Sequence, residues 1–354
     1  MKILITGGAG FIGSSLAVAL KRRRAGTDVV CLDNLYRRGS ELNLPRLRQA
    51  GVQFVRGNVR FAESFPPGPF DFVVDCAAEP SVLAGHDGSP DYLFRANLVG
   101  AYNCLEKTRA WQARLIFLST SRVYPIARLE AHPWQEEGNR FVWKEGDTKG
   151  ISSRGVSEEV DMEGARSLYG FTKYAAEQLI GEYRAAYGLQ AIIDRCGVIA
   201  GPWQFGKVDQ GVVALWVMAH HFGRPLFYIG YGGTGKQVRD FLHIDDLCEL
   251  LCDQVQYFEA WQGWLGNVAG GYTNSASLCE LTALCRDIMD REVRISSRLE
   301  TRPSDLRIFI GDCSQLFERT TWRPQRILKD IVQDTADWVS RYDKELCTGL
   351  LIGS

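Results

Sequence analysis

The chain has 354 residues, 45% of them hydrophobic and 23% charged, and a formal net charge of -1. That is soluble globular composition, enough chain for one large domain with a smaller lobe. Near-neutral charge supplies no field toward nucleic acid or an anionic membrane, and no apolar run approaches the ~18 residues of a membrane span, so neither partner is expected.

The opening "MKILITGGAG" reads as strand and loop, not as a secretory leader. The ten cysteines are scattered without a Cys-x-x-Cys pair. Free thiols in a reducing cytoplasm are expected, and no metal site.

Strand-like runs follow at 2–6 ("KILIT"), 28–33 ("DVVCLD"), 52–57 ("VQFVRG"), 71–78 ("DFVVDCAA") and 114–120 ("RLIFLST"). They are almost continuously apolar, as strands covered on both faces are. Helical patterns lie between them at 12–24, 40–50 and 91–112. Such alternation predicts right-handed crossovers and an α/β doubly wound parallel sheet, a Rossmann domain. The segment 125–166 is charged and weakly periodic, and reads either as a lid or specificity loop or as a solvated insertion. A helix over 167–187 and a strand over 190–196 come next. Beyond residue 200 Gly, Trp and Pro interrupt the pattern. The expected division is 1–200 for the nucleotide-binding domain and 201–354 for a smaller C-terminal lobe, some of whose elements return to the sheet.

Gly7, Gly10 and Gly13 sit between the first strand and the first helix. A glycine-rich turn there lets the backbone approach a pyrophosphate, whose charge meets the helix N-terminal N–H groups. Asp33 ends the second strand, twenty residues after Gly13, where a carboxylate accepts bonds from an adenosine ribose. It favours NAD, because a carboxylate repels the extra phosphate of NADP. Arg37 and Arg38 are the alternative, as partners for that phosphate. Lys21, Arg22, Arg23 and Arg24 close the first helix, where cations offset the macrodipole, and carry no ligand role.

Thr120 ends the fifth strand and Ala77 and Ala78 the fourth, at the carboxyl ends that face the ligand crevice. "SLYGFTK" then puts Tyr169 and Lys173 on one face of the next helix. Alcohol oxidation by a nicotinamide needs a base for the hydroxyl proton. A tyrosine of pKa about 10 is a poor one unless an ammonium and the cationic nicotinamide favour its phenolate. Lys173 supplies that ammonium, and Thr120 orients the hydroxyl.

The set Gly7/Gly10/Gly13, Thr120, Tyr169 and Lys173, in this order across nearly the whole chain, resembles the extended short-chain dehydrogenase/reductase superfamily of NAD-dependent epimerases and dehydratases. Asn97 in "FRANLVGAYNCLE" matches that family's structural and catalytic asparagine. "GKQVRDFLHIDDL" (235–247) and "RPSDLR" (302–307) match its arginine motifs. By that resemblance Arg239 and Arg302 grip the diphosphate of a nucleotide sugar, although each also fits a structural ion pair. Family members that dehydrate follow the threonine with Asp-Glu, and Ser121-Arg122 stands here instead. "AAEPSVLAG", "STSRVYP" and above all "RCGVIAGPWQFGKVDQGV" (195–212) resemble the CDP-hexose 2-epimerases of the paratose/tyvelose type.

The resemblance implies a nucleotide-sugar substrate, a CDP-hexose first, and NAD held through transient oxidation at C2 and re-reduction on the other face. A 4-epimerase of a UDP-sugar or another nucleotide-sugar oxidoreductase is the alternative, and a non-catalytic NAD-binding regulator a further one. The implied cofactor set is Gly7, Gly10, Phe11, Ile12, Gly13, Asp33, Asn34, Asn58, Val59, Ala77, Ala78 and Asn97, with Tyr169 and Lys173. At Asn58 many family members carry an aspartate that meets the adenine amino group; an asparagine still has one acceptor, its amide oxygen. The candidate substrate set is Glu79, Ser81, Thr120, Ser121, Arg122, Cys196, Gln204, Lys207, Arg239 and Arg302. Packing is the alternative role for Cys196, and a local ion pair the alternative for Lys207 with Asp209. A homodimer or homotetramer built through the helices near 91–112 and 167–187 is also implied.

Overall fold

The computed structural model describes residues 1–86, 88–205 and 210–350. The chain forms two compact units that interleave along the sequence. The first comprises Met1–Val123, Leu168–Arg195 and Leu247–Leu265; the second comprises Tyr124–Ser167, Cys196–Asp246 and Gly266–Ser354.

The strand-like runs form β1 (Lys2–Thr6), β2 (Asp28–Asp33), β3 (Gln53–Arg56), β4 (Phe72–Asp75), β5 (Arg114–Thr120) and β6 (Ala191–Cys196). With β7 (Leu265–Val268) they make a seven-stranded sheet in the order β7-β6-β5-β4-β1-β2-β3. The pairings from β3 through β2, β1 and β4 to β5 are parallel. The expected doubly wound Rossmann sheet is therefore the one found. Leu4, Val30, Val73, Leu115, Phe117 and Ile193 are all buried in one core cluster, which is why these strands read as unbroken apolar runs. The chain fills the sheet outward from β1 to β3, then crosses to β4. The crevice at that reversal lies beyond the carboxyl ends of β1 and β4.

Three helical elements matter for the site. α1 spans Phe11–Arg23 and ends in Lys21, Arg22 and Arg23; Arg23 pairs with Asp253 at 2.9 Å. A helical run begins at Asp91–Phe94, widens into a π-helical turn at Arg95–Val99 and continues as α2 (Gly100–Trp111). α3 spans Ser167–Tyr187.

In the second unit, segment 125–166 is built rather than open. It contains the helix Ile126–Glu130 and two hairpins, Trp134–Glu137 with Arg140–Trp143 and Ile151–Ser152 with Gly155–Val156. Phe141 is buried with Val238, Ile308 and Ile310. Its N–H donates to the Lys236 carbonyl at 2.9 Å, and Val156 and Ile310 bond through the backbone at 2.8 Å. Beyond residue 200 the irregular pattern conceals helices, among them Val212–Phe222. That helix buries Val213, Ala214, Trp216, Val217 and Met218. A helix that is apolar all round has no amphipathic stripe to signal it.

Candidate active site

The glycine turn is shaped for close backbone approach. Gly7 has φ 62°, and a Cβ there would come within 2.8 Å of the Cys76 carbonyl oxygen. A Cβ on Gly13 would lie 2.4 Å from the Gly7 oxygen, so only glycine lets α1 start this near the turn. α1 opens at Gly10 with no side-chain cap and no acidic residue in its first turn. Its N–H groups, with Phe11 and Ile12 leading the helix, are left to an external anion, which is the fit a dinucleotide pyrophosphate requires.

Asp33 ends β2 with its carboxylate turned to the same turn. Oδ2 accepts the Ala9 N–H at 3.1 Å and Oδ1 the Leu35 N–H at 2.8 Å. Burial pushes its pKa up from the ordinary carboxylate value, against the pull of these backbone donors. A carboxylate is an acceptor only, the kind of group to which ribose hydroxyls donate. Asn34 accepts the Tyr36 N–H at 2.9 Å. Asn58 begins the turn after β3, and its amide oxygen accepts twice from Arg60. Val59 is buried, and its carbonyl accepts from Asn103 at 2.8 Å.

The turn after β4 is clamped by one side chain. Asn97, in the π-helical turn, accepts the Glu79 N–H at 2.7 Å and donates to the Glu79 carbonyl at 3.0 Å. The same amide nitrogen donates to Thr172 Oγ1 at 3.1 Å. Asn97 thereby ties the segment Ala77, Ala78, Glu79 to α3 at Thr172, the residue before Lys173. Ala77 donates its N–H to Asp75, Ser81 donates its N–H to the Glu79 carboxylate, and Leu83 donates to Ser81 Oγ.

Thr120 closes β5 and is buried, its Oγ1 accepting the Arg122 N–H at 3.2 Å. Ser121 is buried beside it. Tyr169 and Lys173 are 8% and 3% exposed. The Lys173 ammonium lies 3.9 Å from the centroid of Phe117, three residues before Thr120 on β5. A desolvated cation over an aromatic face is held in place without being neutralised. Thr120, Tyr169, Lys173 and the glycine turn all belong to the first unit.

Sequence reading passed over what supports this set. Glu177, one turn beyond Lys173, grips Arg195 of β6 with both oxygens, the shortest contact being 2.7 Å. Ser119 donates to the same carboxylate at 2.5 Å. A glutamate four residues after the lysine on a buried helix face was the one available signal.

The remaining candidates fall on the second unit. Cys196 is buried. Gln204 donates to the Ile199 carbonyl at 2.9 Å, and its buried oxygen has no partner among the described residues. Arg239 pairs with Asp305 at 2.7 Å and donates to the carbonyls of Val238 and Leu306. Arg302 opens the turn closed by Asp305, whose N–H donates to the Arg302 carbonyl. Lys207 and Asp209 lie outside the described residues.

Comparison with known proteins meets this geometry. Residues 3–260 match the model of the NAD dependent epimerase/dehydratase family. The chain is 32% identical to CDP-paratose 2-epimerase of Salmonella typhi over 357 residues, 96% of this chain and 99% of the relative. It is 28% identical to dTDP-glucose 4,6-dehydratase of Mycobacterium tuberculosis over 342 residues, 96% of this chain and 93% of the relative. Among solved structures it is similar to UDP-glucose 4-epimerase of Thermus thermophilus in complex with NAD, at 27% identity and TM-score 0.73, covering 96% and 99% of the two chains. The chain belongs to the NAD dependent epimerase/dehydratase family, and NAD is its cofactor.

Proposed function

We propose that the protein is a nucleotide-sugar 2-epimerase that inverts C2 of a CDP-hexose by transient oxidation and re-reduction. The observation that carries the chemistry is the pairing of buried Tyr169 with Lys173 on α3, the ammonium set against Phe117 of the strand that ends in Thr120. The identity to CDP-paratose 2-epimerase over nearly both full lengths supports the carbon and the nucleotide.

The hydrogen on C2 is not acidic, so inversion by deprotonation alone is closed. NAD supplies a hydride acceptor that becomes the donor in the return step. Thr120 Oγ1 orients the C2 hydroxyl. The Tyr169 phenolate takes its proton, favoured by the Lys173 charge. The 2-keto sugar turns within the pocket, and Tyr169 returns the proton to the new hydroxyl. Asn97 holds the Glu79 segment against α3 through the cycle. On the second unit Arg239 and Arg302 are the candidates for charge-assisted bonds to the diphosphate. Elimination of water needs an acid for the leaving hydroxide, and neither Ser121 nor Arg122 after Thr120 provides one, which counts against a dehydratase.

A homodimer or homotetramer is part of this reading. Leu98, Val99, Tyr102, Ala175 and Leu179, with Gln178 and Glu182 beside them, line a shallow, mainly apolar groove of about 480 Å³ on the helical faces near 98–102 and 175–182. Val99 is 41% and Tyr102 46% exposed. A cytoplasmic location also belongs to it, in keeping with ten free cysteines.

CDP- and UDP-hexoses deuterated at C2 or C4 test the proposal. Inversion at C2 of the CDP-hexose, read by NMR, with a primary isotope effect from the C2 label alone, is expected. An effect from the C4 label alone, with a UDP-hexose as the better substrate, overturns it in favour of the 4-epimerase supported by the likeness to the Thermus thermophilus enzyme.

A further inference from the structure

We infer that Asn58 meets the adenine of NAD as a hydrogen-bond donor, through its amide nitrogen, and thereby sets which base edge the cofactor pocket accepts. The inference rests on NAD occupying the first unit and concerns the end of the cofactor farthest from the chemistry.

β1, β2 and β3 are consecutive neighbours in the sheet. A dinucleotide sets its pyrophosphate at the turn after the first strand and its ribose on the acid ending the second. The base then lies toward the turn after the third, where Asn58 stands. The Gly57 N–H donates to the Asp33 carbonyl at 3.0 Å, so this turn is drawn against the end of β2.

Asn58 Oδ1 accepts the Arg60 backbone N–H at 3.1 Å and Arg60 Nε at 3.2 Å. Both are obligate donors, so chemistry dictates which end of the amide faces them. An amide oxygen has two lone pairs, and both are used. The two N–H groups of Asn58 have no partner among the described residues. A carboxylate here would satisfy Arg60 with one oxygen and keep the other as an acceptor, a capacity asparagine lacks.

Arg60 does not yield easily. Its guanidinium lies 4.8 Å over the ring of Tyr92 and 5.4 Å over Phe61. Tyr92 stacks on Tyr36 with centroids 4.3 Å apart and bonds to the Asn34 side chain. The stack fixes Arg60, Arg60 fixes the amide, and the amide presents only donors. Adenine offers a matching acceptor at N1, and hypoxanthine offers one at O6. The adenine amino group, a donor, finds no acceptor on this side chain.

The test is dissociation constants for NAD and nicotinamide hypoxanthine dinucleotide, by calorimetry, for the protein and for Asn58→Asp and Asn58→Ala. Wild type is expected to bind the two within about threefold of each other. Asn58→Asp regains an acceptor that welcomes the adenine amino group and repels the hypoxanthine oxygen, so its preference for NAD rises by about tenfold or more. Asn58→Ala weakens both alike. A wild-type preference for NAD as large as that of Asn58→Asp overturns the inference, as does an Asn58→Ala protein that binds both dinucleotides as tightly as wild type. Failure of every folded form to bind either dinucleotide overturns the NAD reading itself and the inference with it.

Discussion

Glu177 on α3 holds Arg195 on β6 in a buried bidentate ion pair, with side-chain exposures of 0% and 5%. The pair fastens the helix of Tyr169 and Lys173 to the sheet, and Glu177 also holds Ser119, the residue beside Thr120. Removing one partner of such a pair leaves the other charged in a dry interior. Glu177→Gln is therefore expected to lower stability by about 3–5 kcal/mol, read from urea unfolding. A loss below about 1 kcal/mol, the range of exposed pairs, would contradict the buried pairing.

Tyr169→Phe removes the proton acceptor and leaves the ring. Turnover is expected to fall by about a hundred- to ten-thousandfold, the usual worth of a general base, with the affinity for NAD kept within about threefold. Parallel measurement of kcat and NAD binding separates this from a folding defect. Full turnover in the variant would overturn the assignment of Tyr169 as the proton acceptor; absence of turnover in the parent protein would favour the non-catalytic regulator.

Asp194 on β6 is buried with Oδ1 bonded to Gln254 at 2.9 Å and Trp264 at 3.0 Å, and Oδ2 without a partner among the described residues. Burial pushes its pKa up to about 7. Unfolded, an aspartate titrates near about 3.9, so above that pH the folded state holds a proton the unfolded state has released. The stability this contributes is complete below about pH 4 and is lost as pH rises through about 7. Unfolding free energies between about pH 5 and pH 8 are expected to decline with pH. Asp194→Asn flattens that decline, because an amide does not titrate; an unchanged slope in the variant assigns the effect elsewhere.

The apolar groove of Leu98, Val99, Tyr102, Ala175 and Leu179 predicts the assembly. The double variant Val99→Arg, Tyr102→Glu is expected to run as a monomer in light scattering, while the parent protein runs at twice the chain mass or more. A parent that is itself monomeric at tens of micromolar would end the dimer proposal.

Local signals carried much of the site. Continuous apolar runs announced covered strands, and glycines at fixed spacing announced a turn that admits backbone and phosphate. The four-residue step between Tyr169 and Lys173 announced a shared helix face. Each of these is a property of neighbours in sequence, which is why sequence reading reaches them.

Sequence by itself determined the doubly wound parallel sheet, and it proposed the glycine turn with Asp33 and the Thr120–Tyr169–Lys173 set as the site. Only the tertiary structure decided that segment 125–166 is built into the second unit, because its anchors, Lys236 and Ile310, lie far along the chain. Only it decided that Glu177 serves Arg195 and Ser119, since Ser119 and Glu177 stand 58 residues apart. The Val212–Phe222 helix lacked a stripe because burial on every side removes the contrast a pattern needs. Asn58 and Arg60 are two positions apart, yet which amide edge remains for a ligand follows from a bond made in space.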